Sequence, residues 1–412
     1  MSEIKRIDDI RDFFTLNIQA EIIKAAQNYN NFYEETVSEF AKLFYAKLCQ
    51  CMNNTDLNDE KNLTLISYTK KFLNSKVECS VNNTFTTEEE RKSEGQKDKE
   101  DKEDKVSLVV YFFQKVIWCY KCWCTCDLSE SLRIVENLLE KAGTTSTLNI
   151  KKGSVFYRGR MTEECIDKSE MFHIPFKKSY LIKNQRFSVT GQPVLYITDK
   201  LDGLISELEL RNESDDRLCC DLHVSRFEYN DSNKGLNIFD FRIEKKELDF
   251  ESYERFEEYM YRFMISCVCS FPAVHKGAYF VEEYIIPQLF TQVVRNKYDG
   301  VCYQNINSND YENYVNYVLF TSKERVDSSI DEKLRDKFYI SSPITAKLIE
   351  DREYVHITEE KVLEVLKKHF DRINKNKKTL SEQQMDTDIV QQMRTYFDGK
   401  STYVNMEEKS DV

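Results

Sequence analysis

The sequence is poor in the two residues that punctuate polypeptide chains, with 10 glycines and 5 prolines in 412 residues. Usual contents are about 7% and 5%. Hairpins and bulges need residues that tolerate positive φ, so an all-β sandwich or barrel over the whole chain is excluded. Long helices must dominate somewhere. Residues 1–94 contain neither residue, whereas eight of the glycines and four of the prolines lie between Gly143 and Gly300. This distribution predicts a turnless N-terminal part, a turn-bearing middle and a C-terminal part holding only Pro343 and Gly399.

Other absences narrow the function. No run approaches the ~20 apolar residues that span a bilayer, and the opening MSEIKRIDDIRDFF is charged where a signal peptide would be apolar. The expectation is a cytoplasmic protein with no membrane partner and with reduced thiols. Acidic residues outnumber basic ones, 71 to 59, for a formal charge of −12. No domain-wide basic footprint is available for nucleic acid, though a local pocket for a small anion is compatible with that charge. Neither G-x-x-x-x-G-K-[ST] nor G-x-G-x-x-G occurs, which excludes P-loop, kinase and dinucleotide-fold chemistry. The five histidines, His173, His223, His275, His356 and His369, form no motif with a cysteine, and residues 1–172 hold none. A thiol hydrolase and a histidine-based RNase are disfavoured accordingly.

The N-terminal part shows helical periodicity: Phe14, Ile18 and Ile22, then Val37, Phe40, Ala41, Phe44 and Leu48. A mixed-charge stretch at 86–105 interrupts it and is expected to be a mobile loop. The apolar pattern resumes over 106–141 and stops at Gly143, a C-cap position. Residues 1–145 are therefore expected to be a helical bundle. In the middle, FYRGR, QRFSV, VLYIT, CDLHV, NIFDFRI, YDGVCYQ and YVNYVLF have strand character, while LDGLISELEL, EEYMYRFMISCVCSF and EEYIIPQLFTQVVRN have helical spacing. The class is α+β, because strands and helices mix without strict alternation. From 326 to 412 a polar, helical extension with a disordered tail is expected, with Val362, Leu363, Leu366 and Phe370 forming one apolar stripe.

Two constellations invite chemistry. Cys119, Cys122, Cys124 and Cys126, with Cys49 and Cys51 as a second pair, suggest zinc. Helical spacing also puts Cys119, Cys122 and Cys126 on one apolar face, where buried thiols act as small hydrophobes, and no metal is expected. The second set is Arg158, Arg186, Tyr196 and Glu207. These residues are open to two interpretations, a half-buried ion-pair network or a site for an anionic ligand.

Their order and spacing resemble the RES domain, a family similar in fold to ADP-ribosyltransferase toxins. The matching motifs are Tyr157-Arg158, Arg186-Phe187-Ser188, Gly191-Gln192-Pro193, Leu195-Tyr196, and Glu207 eleven residues after that tyrosine. A second block, Tyr284-Ile285-Ile286-Pro287-Gln288 and Asp299-Gly300 followed by Tyr303, agrees in the same order. The resemblance covers about residues 150–322 and implies a split-sheet catalytic domain over 146–325. It implies an enzyme that takes NAD+ as substrate and cleaves its nicotinamide–ribose bond, with Glu207 stabilising the ribose cation. Arg158 and Arg186 would hold the pyrophosphate, and Tyr196 would pack on the nicotinamide or ribose. The family's serine two residues after Tyr303 is replaced by Asn305, which can still orient a ribose or amide; Ser308 is nearby, and loss of catalysis leaving an NAD- or ADP-ribose-binding module is the alternative. A third possibility is a helical interaction scaffold. The bundle ahead of this domain is similar in helicity and position to HEPN-type domains. A toxin or defence role is implied, with a protein antitoxin or a macromolecular acceptor of ADP-ribose as partner and self-association through the N-terminal helices.

Overall fold

The computed structural model describes residues 10–14, 16–28, 32–55, 58–79, 104–143, 147–162, 164, 166–207, 221–232, 234–242, 248–275, 278–304, 314–322, 329–346, 366–367 and 370–371. In chain order the elements are α1 (Ile10–Phe13), α2 (Leu16–Gln27), α3 (Tyr33–Asn54), α4 (Glu60–Asn74), β1 (Lys76–Cys79), β2 (Asp104–Ser107), α5 (Leu108–Cys124) and α6 (Leu128–Lys141). They continue with β3 (Thr147–Ile150), β4 (Val155–Thr162), β5 (Val194–Thr198), α7 (Leu201–Glu207), β6 (Asp221–Tyr229), β7 (Leu236–Asp240) and α8 (Tyr253–Cys269). The series closes with α9 (Ile285–Val294), β8 (Gly300–Tyr303), β9 (Asn316–Phe320), α10 (Glu332–Arg335), β10 (Phe338–Ile340) and β11 (Ile344–Ala346). The protein is α+β, as its sequence pattern predicts.

The chain forms two compact units. One comprises residues 1–146, 184–189 and 241–296; the other comprises 147–183, 190–240 and 297–412. The first is largely helical and takes α8 and α9 from the middle of the sequence. Short polar side chains start its helices: Asp59, Ser107, Asp127 and Ser252 each accept a hydrogen bond from a backbone N–H of the first turn of α4, α5, α6 and α8. Gly143 follows the end of α6 at φ +71°, the left-handed conformation that closes a helix. The core is aromatic. Phe44 packs edge-on against Phe13 and Phe113, at 5.0 and 5.7 Å between centroids, and Phe14 does the same with Phe263 at 5.2 Å. β1 and β2 pair with each other and flank the charged stretch of the sequence. All but the last two positions of that stretch lie outside the described residues.

The second unit is one mixed sheet in the order β10-β6-β4-β5-β9-β8-β7-β3, with β11 also on β6. β7 and β8 are parallel and the other pairs antiparallel. One face carries Phe156, Leu195, Ile197, Phe227, Tyr317 and Leu319 into a core completed by Phe172, Ile330, Leu334 and Phe338. Two expected elements differ. QRFSV is a tight turn closed by a Gln185–Ser188 bridge; among the described residues no strand pairs with it. The region after 325, expected to be helical, contributes β10 and β11, whose short apolar runs FYI and ITA complete the ladder along β6. No described helix is long and apolar enough to cross a membrane.

Phe44 is 1% exposed at the centre of the aromatic cluster. Phe44→Ala is expected to lower the unfolding free energy by about 3–5 kcal/mol through lost burial and a cavity, read from urea denaturation.

Candidate functional site

The site follows from how β4 leaves β5. The two strands pair at Tyr157↔Thr198 only. From there β4 runs on beside β6 while β5 runs beside β9. The sheet splits at this point, and Arg158 is the next residue along. Its Nη1 donates to the Tyr196 carbonyl at 2.7 Å, joining the strands where their own ladder stops. Its Nε is buried and meets no hydrogen-bond partner among the described residues. Burial pushes the guanidinium pKa down to about 10, with Arg160 adding to the shift, so the group remains charged near neutrality.

The same junction lies in a row of directly opposed residues across five strands: Arg226 (β6), Tyr157 (β4), Thr198 (β5), Asn316 (β9) and Tyr303 (β8). Opposed residues share a face, and four strand spacings make the row about 19 Å long. Glu207 stands at its far end. The Tyr303 hydroxyl donates to Oε1 at 3.3 Å and Asn316 Nδ2 donates to Oε2 at 3.0 Å. Two donors on two neighbouring strands therefore fix a carboxylate that the last turn of α7 leaves exposed. At the near end Arg226 is held by Glu228 at 2.9 Å.

The approach of α7 depends on Gly203. A Cβ there would sit 2.4 Å from the Tyr314 ring and 2.7 Å from Thr198 Oγ1. The strand end beneath is pinned by the Asp199 carboxylate, which accepts the Val315 N–H at 2.7 Å, and by the Thr198 hydroxyl, which donates to the Val315 carbonyl at 3.1 Å.

The residues expected from sequence separate as follows. Glu207 is clamped by Tyr303 and Asn316; Arg158 meets Tyr196 through the latter's backbone; and the Tyr196 side chain shares the face of Thr198 by strand alternation. Arg186 belongs to the first unit. There its Nη1 donates to the carbonyls of Cys269 and Phe271 at 3.0 and 2.7 Å, satisfying the end of α8, and its guanidinium lies 5.1 Å from the Tyr284 ring. Asn305 and Ser308 lie outside the described residues. Asn316 is not among the residues expected from sequence, although an amide opening the otherwise apolar and aromatic strand NYVLF is a legible signal; Tyr303 enters there only as a motif position.

His173 lies near enough to Arg158 to feel its charge. Its Nε2 accepts the Asp331 N–H at 2.8 Å and its Nδ1 faces the Ile174 carbonyl at 2.8 Å, an arrangement that requires the neutral ring with the proton on Nδ1. Burial holds its pKa below the ordinary value, and the charge of Arg158 acts in the same direction.

The cysteine cluster divides. Cys119 and Cys122 are buried and Cys124 and Cys126 exposed. Cys119 Sγ contacts the Ser131 carbonyl at 3.4 Å, and burial pushes its thiol pKa well up. Among the described residues no group of three or more His, Cys, Asp or Glu side chains is arranged to hold a metal ion.

One curated protein is similar in sequence: "Putative toxin YopC" from Bacillus subtilis (strain 168) is 31% identical over 238 residues. The match takes in 52% of this chain and 50% of that protein, so the chain spans about half the length of the relative it matches. No family model matches the chain. No solved structure matches it either.

Two predictions follow from this geometry. Gly203→Ala forces α7 off Tyr314 and is expected to cost about 1–3 kcal/mol, visible as a lower urea midpoint. An unfolded histidine takes up a proton near pH ~6.5, whereas buried His173 resists it. The stability that neutral His173 contributes is therefore present above that pH and lost as pH falls below it. His173→Gln is expected to lose less stability than the parent protein between about pH 7.5 and 5.5, measured by denaturation at each pH.

Proposed function

We propose that the second unit is a RES-type domain that binds NAD+ and breaks its nicotinamide–ribose bond, and that the protein acts as a toxin or defence effector. The observation that carries this reading is the Glu207 carboxylate, fixed by Tyr303 and Asn316 at one end of a row whose split is bridged by Arg158. The name of the Bacillus subtilis relative supports the toxin role. The largely helical first unit would serve regulation or assembly, with a protein antitoxin as its partner.

The residue types suit the reaction. Nicotinamide leaves with the bonding electron pair, and positive charge develops on the ribose. A carboxylate already oriented by two donors stabilises that charge without reorganising. Tyr303 and Asn316 are positioning residues, because they act through Glu207. Arg158 leaves β4 on the face opposite Tyr157 by strand alternation, so its buried cation would reach a ligand on the row through the split it bridges, where guanidinium geometry suits a pyrophosphate. An acceptor then adds to the ribose and loses a proton; water, phosphate and a nucleophile on a macromolecule all satisfy that balance. An inactive module that binds NAD+ is the second reading, favoured by Asn305 at the family's serine position.

Nicotinamide release from NAD+ by the purified protein tests both. Glu207→Gln is expected to reduce the rate by about 10²-fold or more and Asn316→Ala by about 10-fold, in keeping with loss or misorientation of a charge-stabilising group. Equal release by parent and Glu207→Gln proteins rejects the role of Glu207, and NAD+ binding without release identifies the second reading.

A further inference from the structure

The apolar stripe that ends in Leu366 and Phe370 has no part in the reaction above, yet both side chains are buried, at 0% and 1% exposure. Phe370 sits on the row itself. Its ring meets that of Tyr157 edge-on, with centroids 5.1 Å apart and planes at 65°. Tyr157 is the second residue of the row, beside the split that Arg158 bridges. The flanking Lys367 ammonium lies 2.8 Å from the Asp202 carboxylate in the first turn of α7, the helix that ends in Glu207. Phe370 and Lys367 thus touch the floor of the candidate site and the helix that supplies its carboxylate. Four of the five row residues, Arg226, Thr198, Asn316 and Tyr303, are buried in this state.

We infer that Phe370, with Leu366 and Lys367, is an intrasteric cover: Phe370 holds the place over Tyr157 that the substrate takes, and must leave for NAD+ to enter. The inference rests on reading the row as the NAD+ site. The contacts suit a reversible cover. Lys367 and Asp202 are an exposed pair, about half accessible, and such pairs contribute little. Leu366 and Phe370 are the two described apolar side chains of this segment that are buried, so the hold they make is a small patch rather than a core. Apparent affinity falls by the fraction of molecules that are open. A cover closed in about 90–99% of molecules would weaken substrate binding about 10–100-fold.

The test uses the full chain, with ADP-ribose as binding probe and NAD+ as substrate. Phe370→Asp is expected to tighten ADP-ribose binding, by calorimetry, and to raise kcat/KM for nicotinamide release, each by about 10-fold or more, with kcat at saturation little changed. Lys367→Glu should act in the same direction more weakly. In the parent protein, saturating ADP-ribose should increase amide hydrogen exchange at Leu366, Lys367 and Phe370 while slowing it along β4 and β5. That measurement needs no variant and stands if Phe370→Asp folds poorly. Equal or weaker binding by a folded Phe370→Asp protein, or unchanged exchange on saturation, overturns the cover alone. Absence of both binding and release in every protein rejects the NAD+ reading and the cover with it.

Discussion

Everything in the second unit is arranged around a ladder that stops. β4 and β5 share one pair of opposed residues and then separate, so backbone groups that a longer ladder would satisfy need other partners. An arginine fills the opening. Its guanidinium is desolvated, which is costly, and the Tyr196 carbonyl offsets part of that cost. The incomplete satisfaction of Arg158 is a property that a purely structural bridge would be expected to lack, since buried donors are nearly always paired. His173 fits the same surroundings: burial keeps it neutral, the charge of Arg158 acts the same way, and its neutral ring meets Ile174 and Asp331. A second positive charge there would face Arg158 with little solvent between.

The helical character of the N-terminal part was legible in the sequence because apolar residues there recur at one period and caps stand where they should. Gly143 stops α6 where its position suggested. The strand after Pro193 is legible as well. Other features depend on distant contacts and leave weak local traces. QRFSV has strand composition, but Arg186 is drawn to the carbonyls at the end of α8, 83 and 85 residues away in sequence, and the segment turns instead. FYI and ITA are too short to announce themselves; β6 recruits them because it is long enough to pair on that side twice. Asn316 and Tyr303 become partners of Glu207 only through the order of β5, β9 and β8.

Glycine scarcity carries a different meaning at each surviving position. At Gly143 the backbone needs a left-handed residue. At Gly203 it needs the absence of a side chain, since α7 comes so near Tyr314 that a single methyl group would displace it. The carboxylate four residues later is placed by that approach as much as by its hydrogen bonds. A substitution at Gly203 can therefore displace the Glu207 carboxylate by moving a helix.

The interleaving of the two units in sequence has a temporal side. The first unit takes its last helix from residues just before 296, and the second cannot seat β8 and β9 until later still. Glu207 and Asn316 are 109 residues apart; at roughly 5–20 residues per second of synthesis, the carboxylate waits about 5–20 s for its clamp. During that interval the nascent chain carries a helix with an unanchored glutamate and a sheet lacking two of its central strands. The row and its carboxylate are thus assembled only after β8 and β9 have emerged, well into the second stretch of chain that builds this unit.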